Sequence, residues 1–344
     1  MRGERGKMKL GLQGSGRGTG RAAGLWTALG RSPFLADLGP RDRDWTRLLA
    51  TIFGGVGVGA VAAVAAMLLV LVVHVLASGH GQEGLPAVGE AAMRMQTASP
   101  WQLPNAVLQL VLAAGVNGVF ALGFVAVAAL LANHPLHNYV TAARRVRWRL
   151  LAAGLVLGAL LLAPLVAIDR IYGDDGGPVP LLAVGHWGGG SVLYAAAALL
   201  LIPAAAAEEI LFRGWLLRLV GAFTREPMTL ILATAIAFSA LHLDFAPDDF
   251  LTRAIMGAGF AYMTLRLGGI ELATGAHAAN NILIVLFVEP LSLRADQGSG
   301  ALSVAPLIED VLLAVGYLTI TEAVARLTLL RRLTGVADAE LRPR

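Results

Sequence analysis

The stretch SVLYAAAALLLIPAAAAEEILFRG, residues 191–214, holds the chain's central contradiction. From Val192 to Ala207 there is no charge; then come Glu208, Glu209 and Arg213. A segment this apolar is a membrane helix, which needs roughly 20 mostly apolar residues. Its end is the anomaly, because ionisable side chains in membrane segments are expensive and mark functional sites by default.

The rest of the chain supports a membrane setting. Its 344 residues are 56% hydrophobic and only 15% charged, with a mean hydropathy of +0.68. Soluble domains are about 25% charged, so the sequence describes an integral membrane protein. There are no cysteines, which excludes disulfides, thiolate zinc sites and iron–sulfur clusters. The net charge of +4 does not imply a nucleic-acid partner. Much of the basic charge precedes residue 48, including Arg2, Arg5, Lys7, Lys9, Arg17, Arg21, Arg31, Arg41, Arg43 and Arg47. Such a tail suits a cytoplasmic terminus facing anionic lipid. Its Gly-rich portion, residues 11–24, reads as low complexity and disordered. The first apolar run, from about residue 48, is too long for a signal-peptide core and reads as a retained span.

Hydropathy predicts an all-α, polytopic transmembrane bundle of about eight spans: 49–78, 104–132, 150–168, 189–207 continuing to about 220, 228–243, 250–266, 270–288 and 304–325. Arg253 interrupts the sixth; Glu309, Asp310 and Glu322 interrupt the eighth. The organisation predicted is a basic cytoplasmic tail (1–47), N-terminal transmembrane helices (48–180), a second transmembrane core (181–290), and a last span with a cytoplasmic C-terminus (291–344). Loop charges alternate. Residues 134–149 carry Arg144, Arg145, Arg147 and Arg149, whereas 79–100 holds Glu83 and Glu90 and 169–180 holds Asp169, Asp174 and Asp175. Basic loops stay in the cytoplasm, so both termini are expected there, with Asp244, Asp248 and Asp249 on the outer side. The Ala, Gly and Arg bias points to a GC-rich bacterial genome and hence to a bacterial inner membrane.

Three polar motifs fall in late spans: EEILFR (208–213), FSALH (238–242) and HAANN (277–281). On a helix, residues four apart share a face and neighbours are about 100° apart. Glu209 therefore pairs with Arg213, and Glu208 points elsewhere. Alone, a Glu–Arg pair is equally the pattern of a snorkelling anchor, and the lone His74 reads as a helix-contact residue. Phe238 shares a face with His242, and His277 with Asn281. A free carboxylate, two imidazoles and an amide together supply a base, a proton carrier and hydrogen-bond donors. Glu208, His242 and His277 are also a conceivable zinc set, although no HExxH is present. Membrane Glu and His also build proton relays in transporters, and His242 with His277 could serve as axial haem ligands.

The ordered set of Glu208, Glu209 and Arg213, then Phe238 and His242, then His277 and Asn281, resembles the CPBP family of intramembrane proteases. These are the CAAX prenyl endopeptidases of the Ras-converting type and the related bacteriocin-processing or immunity (ABI) proteins. The resemblance spans about residues 190–290, including the Gly-rich run 257–281. It implies an intramembrane endopeptidase acting in a polar cavity on a membrane-anchored protein or peptide. Glu208 would activate water, His242 would hold or relay the proton, and His277 with Asn281 would stabilise the oxyanion. Glu209, Arg213 and Phe238 would be supporting residues. A non-catalytic immunity or scaffold relative is the alternative within the family. On straight spans Glu208 falls near an inner end and His242 near an outer one. Their meeting requires a deep start or tilt of the fifth span, a re-entrant segment at 220–228, or a bend at Pro203.

Overall fold

The computed structural model describes residues 18–79, 84–172, 177–292 and 304–337. The basic residues before position 18, together with Glu83, Asp174 and Asp175, lie outside these. The described residues form an all-helical bundle. A short α1 (Gly18–Gly30) precedes the long α2 (Trp45–Ala77), α3 (Leu85–Thr97), α4 (Leu103–Ala132) and α5 (Trp148–Tyr172). Then come α6 (Pro180–Ala183), α7 (Gly189–Ala198) and α8 (Leu201–Glu209). A π-helical stretch, Ile210–Leu216, leads on into α9 (Leu217–Phe223). The chain ends with α10 (Pro227–Ala240), α11 (Pro247–Leu267), α12 (Glu271–Phe287), α13 (Val304–Arg326) and α14 (Thr328–Leu333).

Four helical paths are long and apolar enough to cross a membrane: Trp45–Ala77, Leu103–Ala132, Trp148–Ile168 and Gly189–Phe223. The expected count of eight is not confirmed by these helices. α10 has 14 residues, about 21 Å at 1.5 Å per residue, against a hydrocarbon core about 30 Å thick. α12 has 17 residues. α11 and α13 have the length, but the charges noted in their sequences interrupt them. Phe53, Val61 and Leu69 of α2 face outward and are largely exposed, as lipid-facing side chains are.

Small residues set the closest contacts. Gly55 and Gly59 of α2 receive Phe124 and Phe120 of α4. Gly154 and Gly158 of α5 lie against Leu272–Ala279 of α12, and a methyl group on Gly275 would collide with the Leu151 carbonyl and Leu155 amide. Close backbone approach of this kind drives helix association in lipid. Arg147, expected in a cytoplasmic basic loop, is instead buried. It grips Glu271 at 2.9 and 2.6 Å and the Leu267 carbonyl at 2.8 Å, tying the start of α5 to the start of α12. Removing one partner of such a pair costs about 3–5 kcal/mol.

The N-terminal region also differs from expectation. Of the stretch expected to be disordered, residues 11–17 lie outside the described residues and 18–24 belong to the helix Gly18–Gly30; Leu29, Phe34 and Leu35 are buried against α9, α10 and α11. The Ser32 hydroxyl donates to the Leu265 carbonyl at 2.6 Å. The apolar residues here, sparse in a basic context, are enough to dock this strap across the end of the bundle that carries the α9–α10 turn. Asp37 accepts two hydrogen bonds from Arg218 at 2.8 Å and one from Asn138 at 2.6 Å. Asp42 pairs with His134 Nε2 at 2.9 Å.

These carboxyls generate a pH dependence. Burial pushes the Asp37 carboxyl up, but the Arg218 hydrogen bonds and charge, with Asn138, outweigh it and hold it below the usual carboxylate range. Burial is likewise outweighed at Asp42 by His134 and the Gly39 amide. Both titrate lower folded than unfolded, so their stabilisation is complete above about pH 4 and is lost as pH falls through the folded values. Hydrogen exchange over residues 32–44 should show protection that is level at neutral pH and lost in acid. Asp37→Asn should lower it already at pH 7; unchanged protection there would contradict the clamp.

Candidate active site

The level of the site follows from the helix lengths. Glu208 precedes Phe223 by fifteen residues, and His242 follows Pro227 by fifteen. Thr224–Glu226 join the two helices as an antiparallel hairpin. Each residue therefore stands about 22 Å from the turn at 1.5 Å per residue. Phe212 and Phe238, each eleven residues from the turn, meet edge-to-face at 5.0 Å and confirm the register. The depth mismatch expected on straight spans does not arise, because the fourth helical path, expected to run to about 220, continues to Phe223 and turns directly back into α10. The path also breaks at Leu199–Leu200, between α7 and α8, one turn before Pro203. Proline lacks an amide for the Leu199 carbonyl, which is taken by Ile202 at 3.0 Å instead.

Arg213 is the centre of the arrangement and is completely buried. It donates to Glu209 Oε1 at 3.1 Å and to the Gly257 carbonyl of α11 at 3.0 Å. Its guanidinium lies 4.5 Å from the Phe238 ring centroid, 5.3 Å from Phe260 and 5.8 Å from Phe212. These rings supply favourable faces for a cation that has left water. The π-helical turn just past Glu209 is marked by the Leu217 amide bonding to the Phe212 carbonyl, five residues back. Such turns recur at functional sites.

Glu209 is fully buried as well, and Oε1 also accepts from His277 Nδ1 at 2.9 Å. An ionised carboxylate only accepts, so Nδ1 carries the proton and Nε2 of a neutral ring presents a lone pair. His277 Nε2 lies 3.6 Å from Glu208 Oε2, slightly beyond hydrogen-bond length. That oxygen is buried without a hydrogen-bond partner, although the Glu208 side chain is 25% exposed. The two glutamates thus differ in setting: Glu209 is fully buried and locked through Oε1 between Arg213 and His277, its Oε2 likewise without a partner, whereas Glu208 is partly exposed with its unpartnered oxygen beside His277. Phe260 stacks on His277 at 5.2 Å between centroids, fixing the ring plane.

His242 bonds through Nδ1–H to its own helix, at the Phe238 carbonyl 2.8 Å away. Its Nε2 is thereby left as an acceptor. Phe238 lies edge-on against both imidazoles, 4.9 Å from His242 and 5.8 Å from His277. The resemblance implied that His242 sits beside Glu208. Among the described residues they make no direct pair, and His277 is the imidazole next to Glu208. Glu208, His242 and His277 also do not converge as a three-ligand metal set among the described residues, so no step is derived through zinc.

Phe238, His242, His277 and Asn281 line an open cavity of about 470 Å³ between α5, α10, α11, α12 and α13. Glu208 is not among its lining residues and reaches it through His277. Leu162, Leu165 and Val166 of α5 and Met256 of α11 supply apolar lining. Asn280, which sequence reasoning missed, also lines the cavity and donates to Asn281 Oδ1 at 3.2 Å, leaving the Asn281 amide N–H groups for another partner. The doubled asparagine was the available signal, since positions three and four beyond His277 share its face. Asp249, Thr252, Arg253, Glu309 and Asp310 line the cavity too; Arg253, Glu309 and Asp310 are the charges that interrupt the sixth and eighth apolar segments.

Arg213→Met should strand the Glu209 carboxylate and cost about 3–5 kcal/mol, whereas Glu209→Leu with Arg213→Met should recover much of that. Thermal unfolding in detergent reads the difference. An Arg213→Met protein as stable as the wild type would contradict the burial of the pair.

Comparison with known proteins bears on this region. Residues 190–283 match the family model described as type II CAAX prenyl endopeptidase Rce1-like. The uncharacterized protein YyaK of Bacillus subtilis (strain 168) is 29% identical over 164 residues, which is 45% of this chain and 53% of that protein. The chain thus spans about half the length of this curated relative. No solved structure matches. The matched segment runs from α7 into α12 and contains the hairpin, both histidines, Asn281 and the Glu208–Glu209–Arg213 cluster. Residues 190–283 are therefore the Rce1-like segment of an integral membrane protein, and that family is one of CAAX-type intramembrane endopeptidases.

Proposed function

We propose that the chain is an intramembrane endopeptidase that hydrolyses a peptide bond of a membrane-anchored protein or peptide. The observation that carries this reading is the unpartnered Glu208 Oε2, 3.6 Å from an imidazole whose other nitrogen is tied to a buried carboxylate. A buried acceptor without a partner costs about 1–3 kcal/mol, a penalty that an incoming water removes.

The chemistry follows from these groups. Glu208 takes a proton from water as the oxygen attacks the scissile carbonyl. His242, with Nε2 free, holds that water from the cavity side. The proton passes from Glu208 to His277 Nε2, and the imidazolium so formed is stabilised through Nδ1–H by Glu209, itself fixed by Arg213. His277 then donates towards the tetrahedral oxyanion or the leaving amine. Asn281 donates an amide hydrogen to the oxyanion, with its carbonyl oxygen held by Asn280. The cavity joins apolar lining to polar groups, which suits a substrate entering from lipid and water entering from the open end. Both termini and the 134–149 loop are assigned to the cytoplasmic face of a bacterial inner membrane, on the charge pattern.

Glu208→Gln should lower cleavage of a membrane-peptide library by about 10²–10⁴-fold, and Asn281→Ala by about 10²–10³-fold. Neither should shift the unfolding temperature much. Full activity after exhaustive chelation is the companion expectation. Cleavage that persists at the wild-type rate in Glu208→Gln would overturn the assignment.

A further inference from the structure

Three carboxylates line the cavity without a part in the scheme above, Asp249, Glu309 and Asp310. Asp310 of α13 is 4% exposed and lines the cavity. Its Oδ1 accepts from the Thr252 hydroxyl of α11 at 2.8 Å, whereas Oδ2 has no hydrogen bond among the described residues. No cation lies within ion-pair distance of it there. Arg253, which also lines the cavity, is engaged through Nη2 by Asp244 at 2.8 Å, with Asp249 at 4.0 Å, and its Nη1 has no hydrogen-bond partner. An acid within an apolar helix is expensive unless something pairs with it. A hydroxyl partner is enough to orient the group but supplies no charge.

The position is informative. Asp310 is on α13, Thr252 on α11 and Asn281 on α12, and all three line the same cavity. His277 lies one turn from Asn281 on the same face of α12. The carboxylate and the oxyanion donor share one cavity, with Asp310 on the α13 wall and Asn281 on α12. Asp249 and Glu309 line the cavity as well, so its three carboxylates outnumber the one arginine, Arg253, and a low-dielectric wall strengthens the resulting negative potential.

Resting on the hydrolase reading, we infer that Asp310, oriented by Thr252, forms a subsite for a cationic side chain of the substrate, a lysine or arginine close to the scissile bond. The substrate class is then a membrane-anchored peptide with a basic residue near the cut. Lysine and arginine near a span's end reach along their aliphatic stems, so the stem can lie on the cavity's apolar lining while the charged head meets Oδ2.

The test uses the full-length protein in detergent and single-span fluorescent peptides. One lysine is moved residue by residue, and each peptide has a norleucine twin. At one position the lysine peptide should bind at least about tenfold tighter than its twin, as a charged hydrogen bond allows, and this preference should vanish in Asp310→Asn. Lysine and norleucine twins that bind alike at every position would overturn the subsite, as would a preference retained in Asp310→Asn. On the wild-type protein, zero-length carbodiimide coupling should join the bound lysine to Asp310; a cross-link confined to Asp249 or Glu309 would also overturn it. Binding and cleavage separate the two ideas. Tight lysine binding with no peptide cut leaves the subsite standing and removes the hydrolase, whereas equal binding and cutting of all twins does the reverse.

Discussion

The architecture turns on a guanidinium that has nowhere to go. Arg213 is buried completely, in a helix that crosses an apolar medium. Its charge must be answered by Glu209, its protons by the Gly257 carbonyl, and its faces by Phe212, Phe238 and Phe260. Meeting those demands brings together α8, the π-helical turn, α10 and α11. Glu209 then extends the cluster to α12 through His277. A single costly side chain thus specifies how four segments meet, and the reactive groups inherit their geometry from it.

The division of labour between adjacent glutamates has the same origin. A helix turns about 100° per residue, so only one of two neighbouring carboxylates can face the arginine. Glu209 does, and becomes a rigid acceptor that sets the tautomer of His277. Glu208 stays partly exposed with an oxygen unclaimed. Holding the imidazole is what turns a charged cluster into a directional one, with a lone pair aimed towards the open carboxylate. The glycines of α5 and α12 and the Arg147–Glu271 pair serve the same end, because they place the helix that carries His277 and Asn281.

Much of this was legible in the sequence where a local rule governed it. The i,i+4 rule gave the Glu209–Arg213 pair and the shared faces of Phe238 with His242 and His277 with Asn281. Hydropathy located the four long apolar paths. The relation between His242 and Glu208 was not legible, because side-chain reach between helices depends on the hairpin register. That register was open in the sequence, because hydropathy does not say at which residue the fourth helical path turns back into the fifth. Nor was the buried fate of Arg147 visible, since a basic loop near a membrane reads as solvated until its partner is known. Asn280 and Asp310 carried weak signals, a doubled amide and a charge in an apolar run. Both needed a cavity wall to become meaningful. The docking of residues 25–44 was hidden by composition, because Leu29, Phe34 and Leu35 are few among charged and small neighbours.

The central claim is that Arg213 and Glu209 hold the His277 ring with Nδ1 protonated and Nε2 turned towards Glu208. Nitrogen-15 NMR of histidine-labelled protein in detergent, with His277 assigned by substitution, measures this directly. The account predicts a protonated Nδ1 in the resting protein and loss of that state in Glu209→Leu/Arg213→Met. A ring with Nδ1 unprotonated in the wild type would contradict it.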